Sequence, residues 1–229
     1  MKLFGRKKGR KLSSRKQSLI NILLPNISLD NEVLFQKILN SDVQKFLEIG
    51  FGYGENLIRL SKERPEWTFL GVEPFVNGVA SLLESIDTEK ISNIYILNGD
   101  GRDFLTKLSE NSITEACVLF PDPWQKPRHI SRRIIQQEFL NNMSKVLKKN
   151  STLHLSSDHP KAQEWILKSI TNNKNYEWDI ENTYDTYQKP KIFEETKYMK
   201  KSIREMRKAM WFKFRNTKEC WFYNYYRII

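Results

Sequence analysis

Apolar positions along this chain alternate between two periods. Compact apolar runs at Lys45–Ile49, Trp67–Val72, Asn93–Leu97, Glu115–Phe120 and Ser151–Leu155 have the length and content of buried strands. Stretches of helical spacing separate them. Glu55–Lys62, Phe75–Ile86 (with Val76, Val79, Ala80 and Leu83 on one face) and Asp103–Leu108 read as helices. Arg132–Leu147 is predicted as a longer helix, with Ile135, Phe139, Met143 and Val146 in phase and Ser131 as N-cap. Proline in the first turn predicts a further helix over Pro160–Thr171. An amphipathic helix at Asp30–Asn40 precedes the first strand, and Tyr176–Ile180 and Met210–Phe214 are predicted as closing strands that include an antiparallel edge. Strands alternating with helices predict an α/β, Rossmann-like fold built on a mostly parallel, doubly wound sheet. Such sheets bind ligands at the carboxyl ends of their strands.

Length and charge refine this picture. A chain of 229 residues is long enough for one domain with a sizeable core. Its formal charge of +11 is unevenly spread. Met1–Leu29 holds eight Lys or Arg and no acid, and the rest carries 30 basic against 27 acidic groups. We therefore expect a basic N-terminal arm over 1–29 and a single domain over 30–229. A cationic arm suggests a polyanionic partner, most commonly nucleic acid. The segment Ser13–Leu24 is too polar for a secretory signal core, whereas a mitochondrial targeting segment would share the arm's composition. No apolar run reaches the roughly 18 residues a membrane span needs, so no membrane partner is expected. Cys117 and Cys220 have no CxxC pairing, which suggests a reducing, cytoplasmic location. Nothing points to an obligate protein partner. Histidines His154 and His159 flank Asp158 without a third ligand at metal spacing, so no metal site is expected.

The candidate chemistry lies at strand ends. The first strand runs into Glu48, Gly50, Gly52 and Gly54, a turn that lets a ligand approach the backbone. A dinucleotide fingerprint would place its third glycine where this chain has Glu55, an anion that would repel a pyrophosphate. Glu73 ends the second strand, 19 residues past Gly54, where a carboxylate can accept both ribose hydroxyls. Asp100 ends the third and could accept from an adenine amine. These acids, without a phosphate-binding lysine, suit a cationic, phosphate-free nucleoside such as S-adenosylmethionine. After the fourth strand comes FPDPWQKPRHISRR, Phe120–Arg133. Prolines on both sides restrict the backbone around Asp122, Trp124 offers a stacking face, and Lys126, Arg128, Arg132 and Arg133 supply donors for phosphates. A second basic region, Lys189–Lys218, carries eleven Lys or Arg against three acids.

These motifs, in order, resemble the tRNA guanine-N7 methyltransferases. LEIGFGYG (Leu47–Gly54), GVEPFVNGVASLL (Gly71–Leu83), FPDPWQKPRHISRR, HLSSDH (His154–His159) and the basic FGRKKGRKL (Phe4–Leu12) match that family's pattern. The resemblance implies a class I methyltransferase fold that methylates N7 of a guanine in the tRNA variable loop with S-adenosylmethionine. It also implies that Glu48, Glu73, Asp100 and Asp122 contact the cofactor, with Asp122 the catalytic candidate. Lys126 and Asp158 would contact substrate, with RNA along Arg128–Arg133. The family's Thr-Lys-(Phe/Tyr)-Glu segment reads Thr196-Lys197-Tyr198-Met199 here, so Thr196 and Lys197 carry over while the carboxylate does not. Glu194 or Glu195 is the alternative acid. Competing readings are a methyltransferase acting on protein or small molecules, and an RNA-binding homologue without catalysis.

Overall fold

A computed structural model describes Gly5 and residues 7–218. The C-terminal tail Cys220–Ile229 lies outside the described residues. The apolar runs form strands β1 (Lys45–Ile49), β2 (Thr68–Val72), β3 (Ile94–Leu97), β4 (Ile113–Leu119) and β5 (Leu147–Ser157), followed by the short β6 (Tyr176–Trp178) and by β7 (Met210–Asn216). They make one sheet in the order β3-β2-β1-β4-β5-β7-β6. β1 to β5 are mutually parallel, and β7 runs antiparallel between β5 and the outermost β6. The chain leaves β1 toward β2 on one side and returns through β4 on the other. That reversal opens a crevice at the carboxyl ends of β1 and β4, the usual ligand position in such sheets.

Helices cover both faces, so the central strands are apolar on both sides. Leu47, Ile49, Leu70, Val72, Ala116, Val118, Leu153 and Leu155 pack with Phe35, Phe104, Phe139 and Ile166. Those last four come from α3 (Glu32–Leu39), α6 (Gly101–Leu105), α7 (Gln137–Val146) and α8 (Pro160–Thr171). Phe46, Phe69 and Cys117 pack on the other face with Leu57, Leu60, Val79, Leu83, Phe193 and Trp211. Here the helices are α4 (Glu55–Glu63) and α5 (Val76–Glu89). Strand alternation puts Glu48 on this second face, a buried carboxylate between Leu47 and Ile49.

The structure corrects one predicted helix. Ser131 is not an N-cap, because Pro127–Arg132 forms a 3-10 helix and α7 begins only after Gln136. Arg133 is extended (φ −61°, ψ 136°), and its side chain turns inward instead of along a helix face. Basic residues near the N-terminus are also more tied down than composition implies. Ser13 caps α1 (Ser14–Ile22), which lies against α5 through Arg15–Asp87 and Lys16–Glu84 ion pairs. The short α2 (Leu24–Ile27) follows, and Ser28 then bridges Ile96 of β3. Upstream, Asn77 at the start of α5 accepts the Gly9 N–H (2.6 Å) and donates to the Arg10 carbonyl (2.7 Å).

Candidate active site

The carboxyl ends of β1, β2 and β4 and the turn before α6 enclose a cavity of about 610 Å³, ample for a nucleoside. Glu48, Gly50, Gly52, Glu73, Asp100, Asp122, Arg132 and Thr196 all line it. Gly50 and Gly52 have φ of +81° and +58°, and a Cβ built on either meets nothing within 4 Å. The open space beside them is a cradle that a side chain would fill. Gly54 does not line the cavity. It caps α4 at φ +81°, where a Cβ would lie 2.6 Å from Leu82 Cδ1, so its role is packing α4 against α5.

Three carboxylates differ in how they are held. Glu73 is buried and accepts the Gly52 N–H at 2.8 Å on one oxygen and the Phe75 N–H at 2.9 Å on the other. Desolvation nevertheless raises its pKa, and the nearby Asp122 charge adds to the rise. Glu48 is 2% exposed; Asn56 donates to its Oε1 at 3.3 Å, while Oε2 is buried without a partner. Burial pushes its pKa up to about 7. A cation delivered into the cavity would satisfy that orphaned oxygen. Asp100 behaves oppositely. Burial raises its pKa, but the two-point contact from Arg102 (3.0 and 2.6 Å) outweighs it and the net shift is downward. Any adenine amine would share the carboxylate with Arg102.

The Phe120–Arg133 loop presents Asp122 to the cavity from the end of β4. Phe120 (φ +50°) and Trp124 (φ +39°) are both left-handed, an unfavourable state for residues with a side chain. Arg133 holds this shape. It is 7% exposed, donates to the Pro123 carbonyl (3.0 Å) and the Trp124 carbonyl (3.3 Å), and stacks over Trp165. A phosphate contact by Arg133 would have to break those bonds. Arg132 instead stacks over the Trp124 indole at 5.1 Å. Lys126 and Arg128 are exposed outside the cavity. Asp122 is solvent-facing along the cavity wall, yet the surrounding loop desolvates its carboxyl enough to raise its pKa.

The C-terminal segment closes the site. Thr196 caps α9 (Lys197–Arg204), accepting the Met199 N–H, so its hydroxyl is engaged. Lys197 does not line the cavity; its ammonium lies 5.0 Å from the Tyr53 ring and its N–H donates to Glu55. Met199 is buried in the apolar cluster of the second face, and neither it nor Glu194 or Glu195 lines the cavity. Asp158, 3% exposed at the end of β5, is held by Arg207 at 2.6 Å and by the Tyr198 hydroxyl at 3.3 Å. Tyr198 itself lines the cavity, its ring 5.3 Å from Phe120. Sequence reasoning missed Asn56, Arg102, Tyr198 and Arg207. Tyr198 sits inside a motif the sequence did flag and Arg102 lies two residues from the flagged Asp100, while Asn56 and Arg207 are tied in by contacts that no local pattern announces. His154 is a core residue of β5, 2.8 Å from Glu115. Among the described residues, no three His, Cys, Asp or Glu side chains converge as metal ligands.

An orphaned carboxylate oxygen, a second carboxylate fixed by backbone amides and an open glycine cradle fit a positively charged nucleoside rather than a nucleotide. Comparison with known proteins places the chain among methyltransferases. Residues 42–213 match a family model described as "Putative methyltransferase". A tRNA (guanine-N(7)-)-methyltransferase of Zymomonas mobilis is 32% identical over 218 residues, covering 94% of this chain and 94% of that protein. One of the same name from Bradyrhizobium diazoefficiens is 34% identical over 221 residues, covering 93% of each. The solved structure of the 16S rRNA methyltransferase KamB superposes with a TM-score of 0.57 at 14% identity, over 81% of this chain and 94% of that one, a likeness of fold.

Proposed function

The chain belongs to the tRNA (guanine-N(7)-)-methyltransferase family, and on that premise we propose that it methylates N7 of a guanine in the variable loop of tRNA, using S-adenosylmethionine, in the cytoplasm. The observation that carries this reading is the single cavity shared by Glu48, Glu73 and Asp122, with Trp124 and Arg132 on its wall. Glu48 would meet the α-ammonium of the cofactor, a cation that S-adenosylhomocysteine retains, with its free oxygen, Glu73 the ribose, and Asp100 the adenine edge. Gly50 and Gly52 leave the space, and Gly54 holds α4 in place. When bound, the sulfonium supplies an electrophilic methyl group. Guanine N7 carries a lone pair and no proton, so no general base is needed at the attacking atom. Asp122 orients the purine and stabilises the positive charge that builds on its ring. Asp158 acts on substrate through Tyr198 and Arg207, and Thr196 and Lys197 fix the start of α9.

RNA is engaged by cations around this site, the exposed Lys126 and Arg128 and the half-buried Arg132, by α9, and by the basic residues that precede the domain starting at residue 30. Arg133 serves by holding the loop. Substituting the exposed Lys7, Lys8, Arg10 and Lys11 with glutamine is expected to flatten the salt dependence of tRNA affinity by ~0.7–0.9 per lost phosphate contact. An unchanged slope would remove this stretch from the interface. Among the described residues, no helix is long and apolar enough to cross a membrane.

Glu48 predicts a pH dependence. Its neutral form dominates below about pH 7 in the ligand-free protein, whereas a cationic ligand binds the ionised form. Cofactor affinity should therefore fall as pH drops below 7, approaching ~10-fold per unit for a single required deprotonation. The linkage to folding has the opposite sense. Because the folded pKa lies above the ordinary carboxyl value of 4.5, this group favours the ligand-free fold below pH 4.5 and loses that contribution as pH rises through 7. Titrating S-adenosylhomocysteine calorimetrically from pH 5.5 to 8.5 checks the first effect, and Glu48→Gln should abolish the slope. The activity itself is tested by incubating the protein with labelled S-adenosylmethionine and unmodified tRNA, then cleaving with borohydride and aniline, which cuts at N7-methylguanosine. Label in protein, or RNA binding without label, would overturn the reading.

A further inference from the structure

Resting on that reading, we infer that Asn56 couples the cofactor pocket to the tRNA-facing segment before α9, so that each ligand tightens the other through one buried amide. Asn56 is 2% exposed in the first turn of α4, directly after the glycine-rich turn. Its Nδ2 donates to Glu48 Oε1 at 3.3 Å. Its Oδ1 accepts the Glu194 N–H at 2.7 Å, across 138 residues of chain. One planar group thus touches a cavity-lining acid whose other oxygen is buried without a partner, and the backbone two residues before the α9 cap.

The neighbouring contacts make this segment responsive as a unit. Glu55, the preceding residue, accepts the Lys197 N–H with both carboxylate oxygens (3.2 and 3.1 Å). Two consecutive residues of α4 therefore hold both ends of 194–197. Phe193, fully buried before it, stacks on Trp211 at 5.5 Å, and Trp211 meets Phe120 edge-on at 5.3 Å, at the base of the Asp122 loop. Tyr198, following it, packs on Phe120 and lines the cavity. Fixing Asn56 fixes where this segment sits.

The chemistry supplies a reason for Asn56 to be loose in one state and fixed in the other. A neutral Glu48 is a weak acceptor, and an ionised one roughly doubles the strength of the bond from Nδ2. A cation in the pocket stabilises the ionised form. The amide is then held at Nδ2, and Oδ1 is presented to Glu194 in one orientation. Reciprocity requires that ordering of the segment by tRNA should favour the same state of Glu48.

The test measures four dissociation constants in the full-length protein: tRNA with and without S-adenosylhomocysteine, and S-adenosylhomocysteine with and without tRNA. In the unsubstituted protein each ligand should tighten the other by about three- to tenfold, the scale of one buried hydrogen bond. In Asn56→Ala both ratios should fall to about one. Asn56→Leu keeps most of the side chain's bulk but makes neither bond, so it too should bring both ratios to about one. It also reads the coupling should the alanine variant not fold. A purely structural role would weaken both ligands and leave the ratio intact. A ratio unchanged in either variant, or a ratio of one in the unsubstituted protein, overturns the inference. Formation of N7-methylguanosine by the unsubstituted protein is scored separately, so failure of the coupling and failure of the function are distinguishable.

Discussion

Asp122→Ala is expected to lower single-turnover methyl transfer by about two orders of magnitude or more, the scale of removing one preorganised electrostatic group. Cofactor affinity should weaken by less than ~10-fold, one hydrogen bond at most. The asymmetry follows from where the side chain sits. Glu48 and Glu73 are buried, whereas Asp122, near enough to Glu73 for their charges to interact, is exposed on the cavity wall, on a loop that begins at Phe120. It is the carboxylate best placed to meet an incoming base rather than a resident nucleoside. Because N7 has no proton to lose, catalysis falls on positioning, which can contribute about 7–11 kcal/mol, and on stabilising the charge that appears on the ring. The protein spends backbone strain on this placement. Two left-handed residues flank the Pro-Asp-Pro turn; Arg133 holds the Trp124 side through the Pro123 and Trp124 carbonyls, and Ser156 accepts the Phe120 N–H on the other. Asp122→Asn separates the contributions, since it keeps shape and one acceptor but not charge. If the alanine variant turns over at the unsubstituted rate, the loop merely shapes the pocket and the catalytic role of Asp122 is lost.

The sequence made the frame of this site legible because its frame is local. β1 coincides with the apolar run Lys45–Ile49, and α8 with the proline-started Pro160–Thr171, since length and turn chemistry decide both. Glu48, Glu73, Asp100 and Asp122 could be read as strand-end acids, and topology then brought them to one cavity. Properties set by distant contacts were not legible. Arg133 looks like one more cation in a basic run, and only Trp165 and two loop carbonyls turn it inward. The same inward turn breaks the expected helix at Arg132 and delays α7 to Gln137. Asp158 was identifiable as an acid at a strand end, but Arg207 lies 49 residues on, and nothing in either segment encodes their 2.6 Å contact. Asn56 depends on a partner farther away still. Periodicity reports which face is buried, not which polar atoms meet there.

Glu73→Gln is the second substitution with a large expected effect, and it appears conservative only until the donors are counted. Both carboxylate oxygens accept backbone N–H groups, one from Gly52 in the cradle and one from Phe75 at the start of α5. An amide has one acceptor and a donor in place of the other oxygen. Whichever way it turns, one of those two backbone amides faces an N–H group and is left unsatisfied, at a cost of about 1–3 kcal/mol. If Gly52 loses its partner, the cradle against the cofactor is released. If Phe75 does, the entry to α5 is released instead. In either orientation the acceptor capacity left for a ribose is halved. Cofactor affinity should fall by about 10–100-fold, following ~1.4 kcal/mol per decade, with calorimetry as the readout. Methyl transfer at saturating cofactor should stay within ~10-fold of the unsubstituted rate, because the Asp122 loop makes none of these bonds. That pairing of weak binding with preserved chemistry is the reverse of what Asp122→Ala should give. A glutamine variant that binds cofactor normally would reduce Glu73 to a clasp between the cradle and α5, and would remove the ribose contact from the mechanism.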